Sequence, residues 1–456
     1  MSCPMRPAMT APLAPKPKAR PRRVSILRHL ALFRQDILSA QPAHLYQAKM
    51  AEFRTPFFRS YLLGEPALLD EVLRRRPGDF PKSERIGAGL RPLLGNSVFL
   101  SNGETWARQR RIIDPAFAGG DLRQNLPAMQ GAAEAAVARL TQANGAPVEI
   151  EEAMSHAAAD VIFRALFSVP IDTPLAQRVF QAFRRYQRAQ PLLNLRAFLP
   201  GLPGWHRREV RRAAKEIRTL IEELVAGRLQ EIAAGRAPDD LATKILTTAD
   251  PETGARFEAG EMVDQVAIFF LAGHETSASA LAWALYLLAL DPEAQERLRA
   301  EATAKPDLRA LRAMRFTRDV FRETLRLYPP VPMMVRETTG QEALRGRCQK
   351  PGAQLVLSPW HLQRNARFWA EPDRFWPERF ETEEGRSAAN TAYLPFSAGP
   401  RTCPGAGFAM LEGPLILSQI IRAFEVSAVP GQKPVPVAHL TVRSKTGIWL
   451  KLKPLG

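Results

Sequence analysis

Phe396-Ser-Ala-Gly-Pro-Arg-Thr-Cys-Pro-Gly405 sets one cysteine between two glycines, with an arginine two positions before it and a phenylalanine seven before. The other cysteines, Cys3 and Cys348, lie too far away in sequence to form a zinc knuckle or a CxxC redox pair with Cys403. The stretch therefore reads as a loop that presents one thiolate to one metal. Gly399 suits a tight turn carrying the chain beneath a flat ligand, where a Cβ would collide. Gly405 lets the next helix, from Ala406 to about Phe424, begin close under the same ligand. N–H groups at that helix start can donate to the sulfur and damp its charge. Arg401 is placed to meet an anionic group, and Phe396 to shield the sulfur from water. The plainer alternative is a buried structural cysteine in a glycine-rich turn.

Two earlier stretches bear on the choice. Trp106-Ala-Arg-Gln-Arg110 puts an indole and a guanidinium on one helix face, able to converge on one carboxylate. An exposed basic helix accounts for Arg108, Arg110 and Arg111 about as well. Ala272-Gly-His-Glu-Thr-Ser277 lies within a run from Glu258 to about Leu290 that reads as one helix of roughly 45–50 Å. Its apolar part, Val266 to Leu290, is long enough to span a bilayer. His274 and Glu275 argue for a core helix instead, since an acid at the bilayer centre costs about 2.5–3.5 kcal/mol. Phe269, Gly273, Thr276 and Ala280 share one face, with Ala272 at its edge. The small residues leave room for a flat ring and a diatomic ligand. Thr276 can offer its hydroxyl to that ligand or bond back to a carbonyl and loosen the helix. Glu275, in apolar surroundings, reads as a proton carrier. Glycine inside a helix costs about 0.8–1.0 kcal/mol against alanine, and such a local conflict marks a functional site.

These segments, taken in order, resemble the cytochrome P-450 family of haem-thiolate monooxygenases. The cysteine stretch matches Phe-x-x-Gly-x-Arg-x-Cys-x-Gly in full, Trp106 and Arg110 match Trp-x-x-x-Arg, and residues 272–276 match Ala-Gly-x-Glu-Thr. Glu323-Thr-Leu-Arg326 matches Glu-x-x-Arg, with Arg379 in Pro377-Glu-Arg-Phe380 as third member of a structural clamp behind the cysteine loop. The resemblance implies that Cys403 ligates the iron of haem b. It implies that Trp106, Arg110, Arg336 and Arg401 hold the propionates, and that Phe396, Gly399, Gly405, Ala272 and Gly273 lie against the macrocycle. Thr276 and Glu275 become the catalytic pair that manages protons while dioxygen is consumed. His274 fills a variable position and takes no ligand role. Relatives often carry His-Arg where Gln363-Arg364 stands here, so neither is counted among the haem contacts. The family also places the region between Arg85 and Leu100 and residues Met333 to Val335 near the pocket, with Thr441 and Val442 at its edge.

The implied architecture is one mainly α (α+β) domain, residues 24–456, with small peripheral β-sheets and a long central helix. It overrides the two or three domains that the length would allow. Residues 1–23, rich in Pro, Ala, Lys and Arg, read as a disordered basic arm, with no signal-peptide h-region or spanning helix. The absence of such an anchor suits a bacterial-type, cytoplasmic enzyme, and three cysteines give no disulfide framework. The weakly amphipathic stretch from Val24 to about Ala40 packs on the domain or rests on a membrane surface. The apolar connection Gln190 to Trp205 lines a substrate entrance, touches a membrane or tucks into the core. The net charge of +17 attracts an acidic protein, an anionic membrane or, weakly, nucleic acid. A nucleic-acid-binding protein would account for that charge but not for four motifs in order. With no flavin or nicotinamide domain left over, the electron donor is expected to be an acidic ferredoxin or flavodoxin with its reductase. The expected reaction inserts one atom of dioxygen into a lipophilic small molecule. Its rival is a reductase-independent peroxygenase, isomerase or dehydratase.

Overall fold

The apolar run in the middle of the chain forms a single helix, Ala259–Ala289, in the computed structural model, which describes residues 8–21, 24–54, 59–118, 123–189 and 208–455. The side chains of Glu258 and Glu261 close a reciprocal capping box at its start. From Val266 to Leu288 every residue is buried except Phe269, Ala272, Gly273 and Thr276. The helix is surrounded because it is apolar on every side. It packs against helices Ile150–Phe167, Arg208–Ala233, Arg315–Leu327 and Ala406–Ala423. Phe163 and Phe183 meet Phe270 with ring centroids 4.4 and 5.9 Å apart. Among the described residues no helix is long and apolar enough to cross a membrane.

Strands are few and peripheral. One sheet runs in the order Met50–Arg54, Arg59–Leu63, Gln354–Leu357, Met334–Glu337, with the second and third strands parallel and the outer pairs antiparallel. Its register sets Arg336 opposite Leu355 and so fixes the direction of that guanidinium. The tail from Ala438 to Lys453, whose alternation reads as a hairpin, divides between two sheets. Pro436–Ala438 pairs with Val442–Ser444, but Trp449–Pro454 leaves to join Phe424–Ala428 and Pro147–Glu149. The reason is burial: Leu450 and Leu452 need a covered face, and the neighbouring sheet provides it.

The expected disordered arm is corrected over residues 8–21, which lie along the domain. Arg374 donates to the carbonyl of Ala11, Phe375 N–H to Pro12, and the Tyr328 hydroxyl to Pro15. A proline-rich chain lacks donors but keeps every carbonyl, and the domain supplies the donors. Ala11 and Ala14 are buried beneath it. The apolar connection of residues 190–205 lies outside the described residues.

Helix Arg315–Leu327 carries the clamp. Glu323 accepts two bonds from Arg326 at 2.8 Å, one from Arg379 at 2.9 Å and one from the Trp376 N–H at 3.0 Å. Burial alone would raise its carboxyl, but the two guanidinia and the backbone bond outweigh it and hold it below the usual range. Arg326 then reaches the carbonyls of Gln363, Pro372 and Arg374, and Arg379 those of Ala370, Glu371 and Arg374. Gln363 completes the path. Its amide nitrogen donates to the carbonyls of Leu325 and Arg326, while its oxygen accepts the N–H of Leu394, two residues before Phe396.

Breaking one member of a buried ion pair typically costs about 3–5 kcal/mol, because a charge is left uncompensated. Glu323→Gln strands two buried guanidinia and is expected to lower the urea midpoint of unfolding accordingly. An unchanged midpoint would mean that the triad does not support the loop.

Candidate functional site

The cysteine loop is held in shape by its own backbone. Cys403 N–H donates to Phe396 O at 2.9 Å, and Thr402 closes on Gly399 O through both its N–H and its hydroxyl. Gly399 has φ +69°, and a Cβ there would sit 1.9 Å from the carbonyl oxygen of Leu73. The turn expected of this glycine is present, and the chain's own neighbour already demands it. Gly405 precedes helix Ala406–Ala423, and a Cβ on it would lie 3.9 Å from the Cys403 sulfur. Phe396 is half-buried against the main core. The Cys403 side is open, yet close packing raises its thiol, partly offset by the Gly405 N–H and the charge of Arg110.

On the central helix the four open positions, Phe269, Ala272, Gly273 and Thr276, form a strip of small and aromatic side chains. Thr276 donates its hydroxyl back to the Ala272 carbonyl at 2.6 Å, one of the two roles foreseen for it. Gly273 has a second constraint, since a Cβ there would lie 2.4 Å from Ile162 Cδ1. Its small size lets helix Ile150–Phe167 approach, and Ala272 is the position that faces open space.

Glu275 needs correcting. It is not in apolar surroundings: Arg443 places one nitrogen 2.6 Å from each carboxylate oxygen, and the Thr441 hydroxyl donates at 3.2 Å. His274 Nε2 lies 3.3 Å from the same carboxylate, while its Nδ1 meets Phe270 O. Burial pushes the Glu275 carboxyl up, but the His274 contact and Arg443 hold it down at about 2. Thr441 and Val442 are buried rather than at a pocket edge. Thr441 bonds Glu275, and the Val442 carbonyl takes the Ser279 hydroxyl and the Trp283 indole N–H.

A group of cations occupies a third side. The Lys82 amine is buried and donates to the carbonyls of Val98 and Ser101 at 2.6 and 3.0 Å. Burial, then Arg336, Arg401 and Arg110, push it down to about 6. Burial and Arg401 lower Arg336 to about 10. Arg401 gives its terminal nitrogen to Pro77 O and Phe80 O, both at 2.8 Å. The Nε atoms of Arg336 and Arg401 are buried with no hydrogen-bond partner. The Trp106 ring lies between Lys82, Arg401 and Arg110, with centroid distances of 5.7, 5.4 and 5.9 Å. Arg110 donates to Asp114 at 2.6 Å and to Thr402 O at 2.7 Å. It braces the cysteine loop.

Three clustered cations, one buried and two half-buried, with two orphaned N–H groups, suit an anionic group. Joined to one open thiol and a strip of small side chains, the cluster fits an iron porphyrin with two propionates. Lys82 was not legible from sequence, being a lone lysine in a loop 24 residues before Trp106. Arg443, 168 residues from its partner, gave only the weak signal of a charge inside a buried hairpin. Gln363 stood where a family position departs from its common residue.

Comparison with known proteins agrees with this geometry. The family described as Cytochrome P450 matches residues 21–452. Cyclooctat-9-en-7-ol 5-monooxygenase of Streptomyces melanosporofaciens is 33% identical over 424 residues, covering 90% of each chain. Cytokinin hydroxylase of Arabidopsis thaliana is 29% identical over 86% of this chain and 78% of its own. Human cytochrome P450 4A11 is 31% identical over 86% and 79%. A match across almost the whole length, on the fold and donor set described above, means that the chain belongs to the cytochrome P450 family and is an oxidoreductase of the monooxygenase type.

Proposed function

We propose that this protein binds haem b through Cys403 and inserts one atom of dioxygen into a lipophilic small molecule, using electrons from a separate acidic redox protein. The observation that carries the reading is the cluster of buried Arg336 with half-buried Lys82 and Arg401, which has no carboxylate partner among the described residues and lies beside an open cysteine. When bound, the haem would supply dioxygen activation, and Cys403 would be the residue that holds its iron and donates electron density to it. The chain's own residues do the rest. The Gly405 N–H and Arg110 stabilise Cys403 as thiolate, and Phe396 covers it from water. Lys82, Arg110, Arg336, Arg401 and the Trp106 edge would hold the two carboxylates of that group. Thr276 on the open strip of the central helix and Glu275 on its buried face would hold and move protons.

Substrate class follows from what borders that strip. Phe117 and Phe269 stand with ring centroids 5.7 Å apart, and Ala272 adds no polar group. Such a wall selects apolar surface. A relative named for an unsaturated alcohol, cyclooctat-9-en-7-ol, is consistent with it. The acidic ferredoxin or flavodoxin is supported by the +17 charge and by Arg74 and Arg75. Their side chains are 55% and 72% exposed beside Leu73, whose carbonyl packs on Gly399 of the cysteine loop. Complementary charge of this kind speeds association.

Three outcomes test the reading. Reduced holoprotein with carbon monoxide should give the strongly red-shifted band of thiolate-ligated haem, and Cys403→Ser should abolish it. Retention of the band in the variant would displace Cys403 as ligand.

Haem uptake should also take up protons. Lys82 sits near 6 in the haem-free chain, and two adjacent carboxylates would raise it. Between those values the complex holds a proton that the free protein lacks, so haem affinity weakens as pH rises above about 6. Calorimetry in buffers of different ionisation enthalpy reads this uptake directly. Lys82→Met should remove it, and equal uptake in the variant would take Lys82 out of the site.

Thr276→Ala should bind substrate and accept electrons as before while diverting reducing equivalents to hydrogen peroxide. A positioned acid–base group typically contributes about 10²–10⁴-fold, so product per electron should drop steeply. Full turnover by that variant with no electron donor would favour the reductase-independent rival.

A further inference from the structure

Lys82 has two sets of neighbours, and only one of them is made of cations. Its backbone is fixed at the edge of the four-stranded sheet, in an antiparallel bridge to Arg336, with Glu337 N–H donating to Pro81 O at 2.9 Å. Asn102 then closes the segment 82–102 on itself. Its amide oxygen accepts the Lys82 N–H at 2.9 Å, and its nitrogen donates to the Lys82 carbonyl at 3.1 Å. Inside this closed segment the Lys82 amine donates to the carbonyls of Val98 and Ser101. The same amine lies over the Trp106 ring, in the field of Arg336, Arg401 and Arg110. Residues 93–101 are tied to the rest of the domain by other side chains too. Arg218 donates to Leu93 O at 3.1 Å, and Gln109 to Asn96 O at 2.7 Å. Asp264 accepts the Asn96 N–H at 2.7 Å, and Gln265 the Val98 N–H at 2.9 Å. Outside its own turns this backbone depends on side chains for its partners.

Donor counting gives the amine a second task. A neutral amine has two N–H groups, and Val98 and Ser101 take both. Burial, then the charges of Arg336, Arg401 and Arg110, disfavour a third proton. A carboxylate arriving among these cations reverses that balance. The ammonium then has three donors, two for the carbonyls and one for the carboxylate. All three bonds become charge-assisted, roughly twice as strong as neutral ones. A lysine that only braced the loop would need no guanidinia around it. One that only met an anion would not be fastened to two carbonyls.

We propose that Lys82 is a positioning residue that couples filling of the anion site at Arg336 and Arg401 to closure of residues 93–101, so that the segment is held firmly once a carboxylate-bearing cofactor is in place. The coupling is reciprocal, because the binding free energy is shared. Whatever the cofactor adds to the hold on the segment, the closed segment adds to the hold on the cofactor. Arg218, Asp264 and Gln265 keep the segment's path in either state, and Lys82 supplies the part that depends on loading. The inference rests on the reading that this cluster receives the haem carboxylates.

The test loads the full chain with haem or with haem whose two carboxylates are methyl esters, which keeps the iron and the ring and removes the anions. Amide hydrogen exchange of residues 93–101, read by mass spectrometry, reports closure without turnover. With haem the segment should exchange roughly tenfold more slowly than with the diester, as charge-assisted bonds replace neutral ones. A peptide around Glu323 should exchange alike in both forms. In Lys82→Met the two loaded forms should exchange at one rate in the segment. Lys82→Arg, which keeps the charge and the donors, should restore part of the difference. Equal exchange of the segment in the haem and diester forms of the parent overturns the inference, as does a difference that survives in Lys82→Met. If haem and its diester bind the parent with equal affinity, the cluster does not receive the carboxylates, and the reading beneath the inference falls with it. Unequal affinity with equal exchange removes the coupling alone.

Discussion

One buried anion, the Glu323 carboxylate, sits between two guanidinia, and the position of the cysteine follows from it. Its value is geometric more than energetic, since a buried ion pair recovers little over its desolvation. Arg326 and Arg379 together reach five carbonyls of segment 363–374 and so remove that stretch's freedom to shift. Gln363 passes the constraint on by accepting the Leu394 N–H, and two residues later Phe396 O receives the Cys403 N–H. Thiol and triad are thus linked by a short series of hydrogen bonds in which each acceptor is a fixed backbone or amide oxygen. A metal ligand placed this way needs no second protein ligand to hold it.

Charge is divided across the site. Lys82, Arg336 and Arg401 form an excess of cations at one end, and Glu275, Glu151 and Glu412 form an excess of carboxyls behind the central helix. Glu412 is fully buried on the cysteine helix, where burial raises it to about 8 and the Ser277 hydroxyl, donating at 2.7 Å, only partly opposes that. At neutral pH it is therefore a neutral acid. It ties the central helix to the cysteine helix without adding a negative charge near the thiolate, which like-charge repulsion would make costly. Cations gather where the carboxylates of a bound group would lie, and behind the central helix burial raises Glu151 and Glu412 while Arg443 and His274 hold Glu275 ionised.

The fold was legible because its signals are local. The capped central helix, the cysteine loop and the Glu323–Arg326 pair each lie within a few residues or one helical period, and the structure reproduces their bounds. What lies across the fold was not legible. Glycine was the right residue at 273 and 399 for a reason sequence does not contain, namely the approach of Ile162 and of Leu73. Glu275 lies within a largely apolar helix, but its face is turned to Arg443. Residues 8–21 have the composition of a disordered chain and become ordered only because Tyr328, Arg374 and the Phe375 N–H present donors to their carbonyls. Lys82 and Gln363 carry no local pattern at all.

The Thr276 back-bond bears on how a proton would travel. Its hydroxyl hydrogen is engaged by Ala272 O at 2.6 Å, so the oxygen offers lone pairs, not a donor, toward the open strip. A group in that state first accepts a hydrogen bond and donates only after its own bond to the helix is released. Glycine at 273 and alanine at 272 make that release cheap, because no bulky side chain must be displaced. On the proposed reading Thr276 therefore orders the proton's path rather than supplying the proton. The supply falls to another group, since Glu275 is held ionised by His274 and Arg443.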